Sequence, residues 1–173
     1  MTDVVTREAL ALRWKEMLSD RSLHDLPYRI ELNPAGKVEM SPASNRHSRL
    51  QGALATQLGR GLIGGAVFTA CSVLTRIGIR CPDVAWASPE FMSAYGEITP
   101  YLRAPEICVQ IVSGADAQAD VDEKTAAYLA AGADEVWLVT EDGRLRYIGA
   151  AGEKTRSDFP IAISLPPPAA SPP

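Results

Sequence analysis

A mixed α/β fold is what this sequence predicts, and three observations carry the prediction. The apolar run Ile107–Val112, a helix ending at Gly132 and the apolar run Glu135–Val139 form a strand, helix, strand unit. Such a unit closes as a right-handed parallel crossover. Hairpin chemistry lies on both sides of it: Asn33-Pro34-Ala35-Gly36 near the start and Asp142-Gly143 after Val139, so antiparallel strands join the parallel pair. Leu50, Leu54, Leu58 and Leu62 recur every fourth residue, the spacing of a helix with one apolar face.

The elements follow in order. Residues 6–19 carry Leu10, Trp14, Met17 and Leu18 at helical spacing, with Thr6 as N-cap. Tyr28–Leu32 alternates as a strand, and Lys37–Met40 returns beside it. Ser41-Pro42-Ala43-Ser44-Asn45 breaks the chain before a helix that begins near Arg46 and ends in the glycine-rich stretch 61–65. Strands are expected at 66–68, at 73–79 as one continuous element, and after Pro82. A short helix is expected at 89–95. The helix before Gly132 stops there because glycine accommodates the C-terminal turn. Arg144–Ile148 completes the second hairpin. No repeat or second domain is evident, so residues 1–165 read as one domain, followed by a flexible Pro-rich tail at 166–173.

The 173 residues are enough for one well-packed core. No apolar run approaches the roughly 18–20 residues of a membrane span, and Met1-Thr2-Asp3-Val4 is not a secretory start. Three cysteines without CxxC spacing fit reduced thiols. A cytoplasmic protein with no membrane partner is expected. The net charge of −4 is unevenly distributed: from Met40 to Pro82 there is no acid but five arginines, and from Asp83 to Asp142 there are twelve acids against Arg103 and Lys124. Such a division suits phosphate binding on one side and a cation on the other, unless the two stretches mix in space.

The chemistry concentrates at three positions. Asp83 follows Pro82 and enters the apolar Val84-Ala85-Trp86; Gln110 interrupts an otherwise apolar strand; Lys124 shares a helix face with Val121 and Tyr128. An acid on one strand, an oxygen ligand on the next and a nearby lysine can hold a divalent metal and orient water. Each residue also has a plain structural reading. Asp83 can cap a turn, Gln110 can be satisfied by backbone or Ser113, and Lys124 can pair with Asp120 on the surface.

In order and spacing the chain resembles the PD-(D/E)XK nuclease superfamily and, within it, the Uma-type putative restriction endonucleases. The resemblance runs from about Tyr28 to Ile148. It rests on Val38-Glu39-Met40-Ser41-Pro42 before a helix bearing His47, on Pro82-Asp83-Val84-Ala85, and on Ala104–Ser113, followed by Asp122-Glu123-Lys124, Tyr128 and Glu135–Val139. It implies a restriction-endonuclease-like mixed β-sheet flanked by helices, and a magnesium- or manganese-dependent endonuclease acting on DNA as a homodimer. Its pattern makes Asp83 and Gln110 the metal ligands, and Lys124 the residue that positions water. Glu31 matches an acid that orients Lys124 or water. Arg46, His47 and Arg49 are the candidates for nucleic-acid contact. Gln110 departs from the pattern, which has glutamate there, so the resemblance also allows a catalytically silent DNA-binding or interaction module.

Overall fold

The computed structural model describes residues 5–171. The opening residues 1–4, read above for a secretory start, and the last two of the tail lie outside the described residues. The mixed α/β class is borne out: two sheets are flanked by four helices.

Helix α1 (Arg7–Leu18) starts where Thr6 Oγ1 accepts the Ala9 amide at 3.2 Å. Leu10, Trp14 and Met17 bury against Leu32, Leu74, Ile79 and Cys81. Leu18, expected with them, is 52% exposed; eight residues beyond Leu10 it falls about 80° round the helix, off the packed face.

Beneath α1 lies a four-stranded sheet. Strands β1 (Tyr28–Leu32) and β2 (Val38–Pro42) form the expected hairpin, in register from Tyr28↔Pro42 to Leu32↔Val38. The single strand expected at 73–79 is instead a tight hairpin. Later in the chain, Val73–Thr75 and Gly78–Arg80 pair antiparallel as β4 and β5, with β3 (Ala66–Thr69) preceding them. The cause is Gly78, which has φ +103° and lies so close to β1 that a Cβ would sit 2.1 Å from the Leu32 carbonyl oxygen. Only glycine fits there.

The larger sheet has six strands in the order β10-β9-β8-β7-β6-β3. They are β6 (Val84–Ala87), β7 (Ile107–Val112), β8 (Glu135–Thr140), β9 (Leu145–Gly149), β10 (Gly152–Lys154) and β3. Only β7 and β8 run parallel, from Ile107↔Glu135 to Val112↔Thr140, as the crossover requires. Strand β10 had no signal in the sequence beyond Gly152.

Alternation along β7 decides what each face holds. Val109 and Ile111 join Leu50, Leu54 and Leu58 of α2 (Asn45–Gly61) in the main core, where the C-terminal segment adds Phe159, Ile161, Ile163 and Leu165. Cys108 faces the opposite way, with Val121 and Tyr128 of α4 (Gln118–Ala130). Gln110 shares that second face and bonds to α4. The short α3 (Pro89–Tyr95) is capped by Ser88 and covers β6 through Phe91. Among the described residues, no helix is long and apolar enough to cross a membrane.

Candidate functional site

The two sheets meet at Asp83, which is placed by backbone bonds. Its N–H donates to the Val109 carbonyl at 2.9 Å, which extends the β6–β7 ladder by one residue past Pro82. Its Oδ2 accepts the Ile111 N–H at 2.7 Å, and its carbonyl accepts Gln51 Nε2 at 2.7 Å. One carboxylate oxygen is thus fixed to the neighbouring strand β7 rather than to a turn of its own. The other, Oδ1, receives the Arg29 guanidinium from β1 and lies 3.0 Å from His47 Nε2. Asp83 is only 3% exposed, and these partners offset the several kcal/mol that burying a lone charge costs.

Glu31, two residues along β1 from Arg29, is as deeply buried. Its Oε1 accepts the Cys81 N–H at 2.8 Å, while Oε2 accepts Lys124 Nζ at 2.7 Å and Arg80 Nη1 at 3.3 Å. Burial alone would raise this carboxyl. The charges of Lys124 and Arg29 and the Cys81 N–H outweigh it and hold the group below the usual glutamate range. Arg80 also bonds to Glu39 of β2. Lys124 thus leaves α4 toward the sheet, pairing with Glu31 rather than with Asp120 one turn earlier.

Gln110 has a determined orientation. Thr125 Oγ1 gives its proton to the Val121 carbonyl at 2.7 Å, so toward Gln110 it can only accept. It accepts Gln110 Nε2 at 3.2 Å. The amide carbonyl is turned away from this bond and has no hydrogen-bond partner among the described residues, and it is not sealed from solvent.

Asp83, Gln110, Lys124, Glu31 and His47 line one cavity of about 630 Å³. Arg46 and Arg49 do not line it. They sit on α2 with Arg46 Nε on the Glu141 carbonyl at 2.9 Å, and an Nη1 of each on the Pro167 carbonyl at 3.2 Å. Nor do the five arginines of the basic stretch form one free face, because Arg80 is buried between Glu31 and Glu39. Sequence reasoning passed over Arg29, Arg80 and Thr125. The first two pair with acids 41 to 54 residues away, which leaves no local pattern. Thr125 was one residue beyond a position already singled out.

Whether these side chains suit a divalent metal is decided by oxygen donors. Among the described residues, no three His, Cys, Asp or Glu side chains cluster to form a ligand set. Of the two ligands expected from the sequence, the cavity offers Asp83 Oδ1, covered by Arg29 and His47, and the unpartnered Gln110 carbonyl, with the carboxylates of Asp116, Asp120 and Glu123 elsewhere on its lining. Two oxygen donors suit magnesium, which keeps several waters and is usually held by one or two carboxylates together with substrate phosphate. They fit an ion shared with substrate.

Comparison with known proteins agrees with the architecture. A family model described as "Putative restriction endonuclease" matches residues 20–153. A crystal structure of a putative nuclease belonging to DUF820 from Anabaena variabilis ATCC 29413 is similar at a TM-score of 0.60 and 18% identity, covering 79% of this chain and 78% of that one. At that identity the likeness establishes the fold alone. A comparison with curated proteins found no match.

Proposed function

This chain belongs to the family described as "Putative restriction endonuclease", and on that footing we propose that it is a divalent-metal-dependent nuclease hydrolysing DNA phosphodiester bonds. The observation that carries the reading is the joining of Lys124 to Glu31 in the cavity that Asp83 and Gln110 also line. Asp83 Oδ1 and Gln110 Oε1 would hold magnesium or manganese. When bound, the ion supplies Lewis-acid polarisation of the phosphate and a more acidic water.

The protein's own side chains do the rest. Glu31, kept ionised by its surroundings, aims the Lys124 ammonium. From there Lys124 donates to the attacking water or to the phosphate oxygen that gains charge. Thr125 sets which end of the Gln110 amide meets the cavity. His47, on the first turn of α2, offers a further donor at the rim, and Arg46 and Arg49 extend that edge toward the phosphate backbone once they leave the Pro167 carbonyl. A homodimer gives two such sites for two strands.

The test is cleavage of supercoiled plasmid, linear duplex and single-stranded DNA across a magnesium and manganese titration, with a chelator control. Cleavage that needs the metal and is lost in Asp83→Ala is the expected result. A second reading is favoured by one observation: Asp83 is already neutralised by Arg29 beside an uncharged Gln110. On that reading the chain binds DNA without cutting it, and the same titration gives salt-sensitive binding with no product.

A further inference from the structure

Arg29 has no task in the proposed hydrolysis, yet it occupies the carboxylate oxygen on which metal binding there would depend. Its guanidinium and His47 Nε2 both meet Asp83 Oδ1, while Oδ2 is tied to the Ile111 amide. A carboxylate offers about four lone-pair positions, two on each oxygen, so both positions of Oδ1 are taken. A dication approaching this oxygen must displace one of these groups, and it is repelled by the guanidinium while Arg29 stays.

Arg29 is not fully satisfied where it lies. Its Nε is buried and has no hydrogen-bond partner among the described residues. Among the described residues its only ion-pair partner is Asp83. The side chain lines the cavity and retains 24% of its exposure. A phosphodiester entering that cavity presents two non-bridging oxygens that share one negative charge, and guanidinium binds such a pair through parallel N–H donors. A phosphate therefore competes with Asp83 for Arg29, and the carboxylate it vacates becomes free for a metal.

We propose that Arg29 is a phosphate-binding residue of this site, held on Asp83 until substrate arrives, so that the nucleic-acid backbone and the divalent ion bind cooperatively. This rests on the nuclease reading of the cavity and adds an order to it. Metal alone meets an occupied carboxylate. Phosphate alone gains Arg29 but uncovers the Asp83 charge. The two together satisfy both groups, so each tightens the other by the same factor.

The experiment measures binding and needs no turnover. Manganese affinity is read from the free-ion electron paramagnetic resonance signal, with and without a phosphorothioate-linked thymidine oligonucleotide, which resists hydrolysis and whose sulfur manganese tolerates. Oligonucleotide affinity is read by fluorescence anisotropy, with and without manganese. In the wild type each ligand should tighten the other at least tenfold. Arg29→Gln should bind manganese alone at least fivefold tighter than the wild type, bind the oligonucleotide more weakly, and lower the coupling factor at least fivefold, to what a phosphate shared as a metal ligand supplies by itself. Arg29→Lys, which keeps the charge but loses the forked donors, should fall between them; circular dichroism checks that both variants are folded. The wild-type coupling stands as a test even if neither variant folds. Manganese and oligonucleotide binding independently to the wild type would overturn the role of Arg29 while leaving the nuclease reading intact. If neither ligand binds the wild type or Arg29→Gln, both fail together.

Discussion

Lys124 Nζ lies 2.7 Å from Glu31 Oε2, bridging residues 93 positions apart and fastening α4 to the first hairpin. The pair joins the helix after β7 to the four-stranded sheet, and so fixes the cavity's width as well as the direction of the ammonium.

Removing the lysine and removing the acid should therefore differ. In Lys124→Met, Glu31 keeps Arg80 and the Cys81 amide, so the loss in urea-measured stability should be about 1 kcal/mol, while cleavage falls by two or more orders of magnitude. Glu31→Ala leaves buried Arg80 with Glu39 and the Ile77 carbonyl and strands the Cys81 amide, and should lose about 3–5 kcal/mol, the range for breaking a buried pair. Equal stability losses in the two variants would contradict this assignment.

Stability should also fall in acid for a reason far from the cavity. Glu135 is fully buried. Burial would raise its carboxyl, but the Asp158 N–H at 2.7 Å, Ser157 Oγ at 2.6 Å, Trp137 Nε1 at 2.7 Å and Lys154 Nζ at 3.0 Å outweigh that and lower it. A carboxyl lowered on folding stabilises the protein above the unfolded-state value of about 4.3. That contribution is lost as pH falls through the lower folded-state value. Glu31, also lowered, acts in the same direction. Urea midpoints from pH 6 down to 3 should decline steeply in the wild type and less steeply in Glu135→Gln. A parallel decline would assign the acid sensitivity elsewhere.

The cysteines should be chemically quiet. Burial pushes Cys71 up to about 12 and raises Cys81 and Cys108 well above the ordinary thiol range, and the thiolate is the reactive form. At pH 8 an alkylating reagent should label the native protein slowly and all three sites promptly in denaturant. Rapid native labelling at any one site would show that its surroundings open.

Much of this arrangement was legible in the sequence because it is local. Four leucines at helical spacing, a Thr6 cap, two turn motifs and an apolar strand broken by Gln110 each report their element within a few residues. The hairpin within 73–80 was not legible. Val73-Leu74-Thr75-Arg76-Ile77-Gly78-Ile79 reads as one strand until β1 is seen against Gly78. The ion pairs that shape the cavity were hidden for the same reason. Nothing near Arg29 or Arg80 announces Asp83 or Glu31, because only the meeting of the two sheets brings them together.

Gln110→Glu would add the missing negative charge to the cavity. The carboxylate cannot donate to Thr125, whose proton is committed to the Val121 carbonyl, so the substitution loses one buried hydrogen bond at about 1 kcal/mol. Manganese affinity should nevertheless rise tenfold or more, measured by calorimetry. Unchanged affinity in a folded variant would remove Gln110 from the ligand set.

Single-turnover cleavage of supercoiled plasmid in manganese, by the wild type, Asp83→Ala and Lys124→Ala side by side, separates a nuclease site from a silent one. A metal-dependent nuclease site predicts nicked product from the wild type only, abolished by chelator, and at least a hundredfold less from either variant. Equal cleavage by wild type and Asp83→Ala, or none by a folded wild type that still binds manganese and DNA, would contradict it.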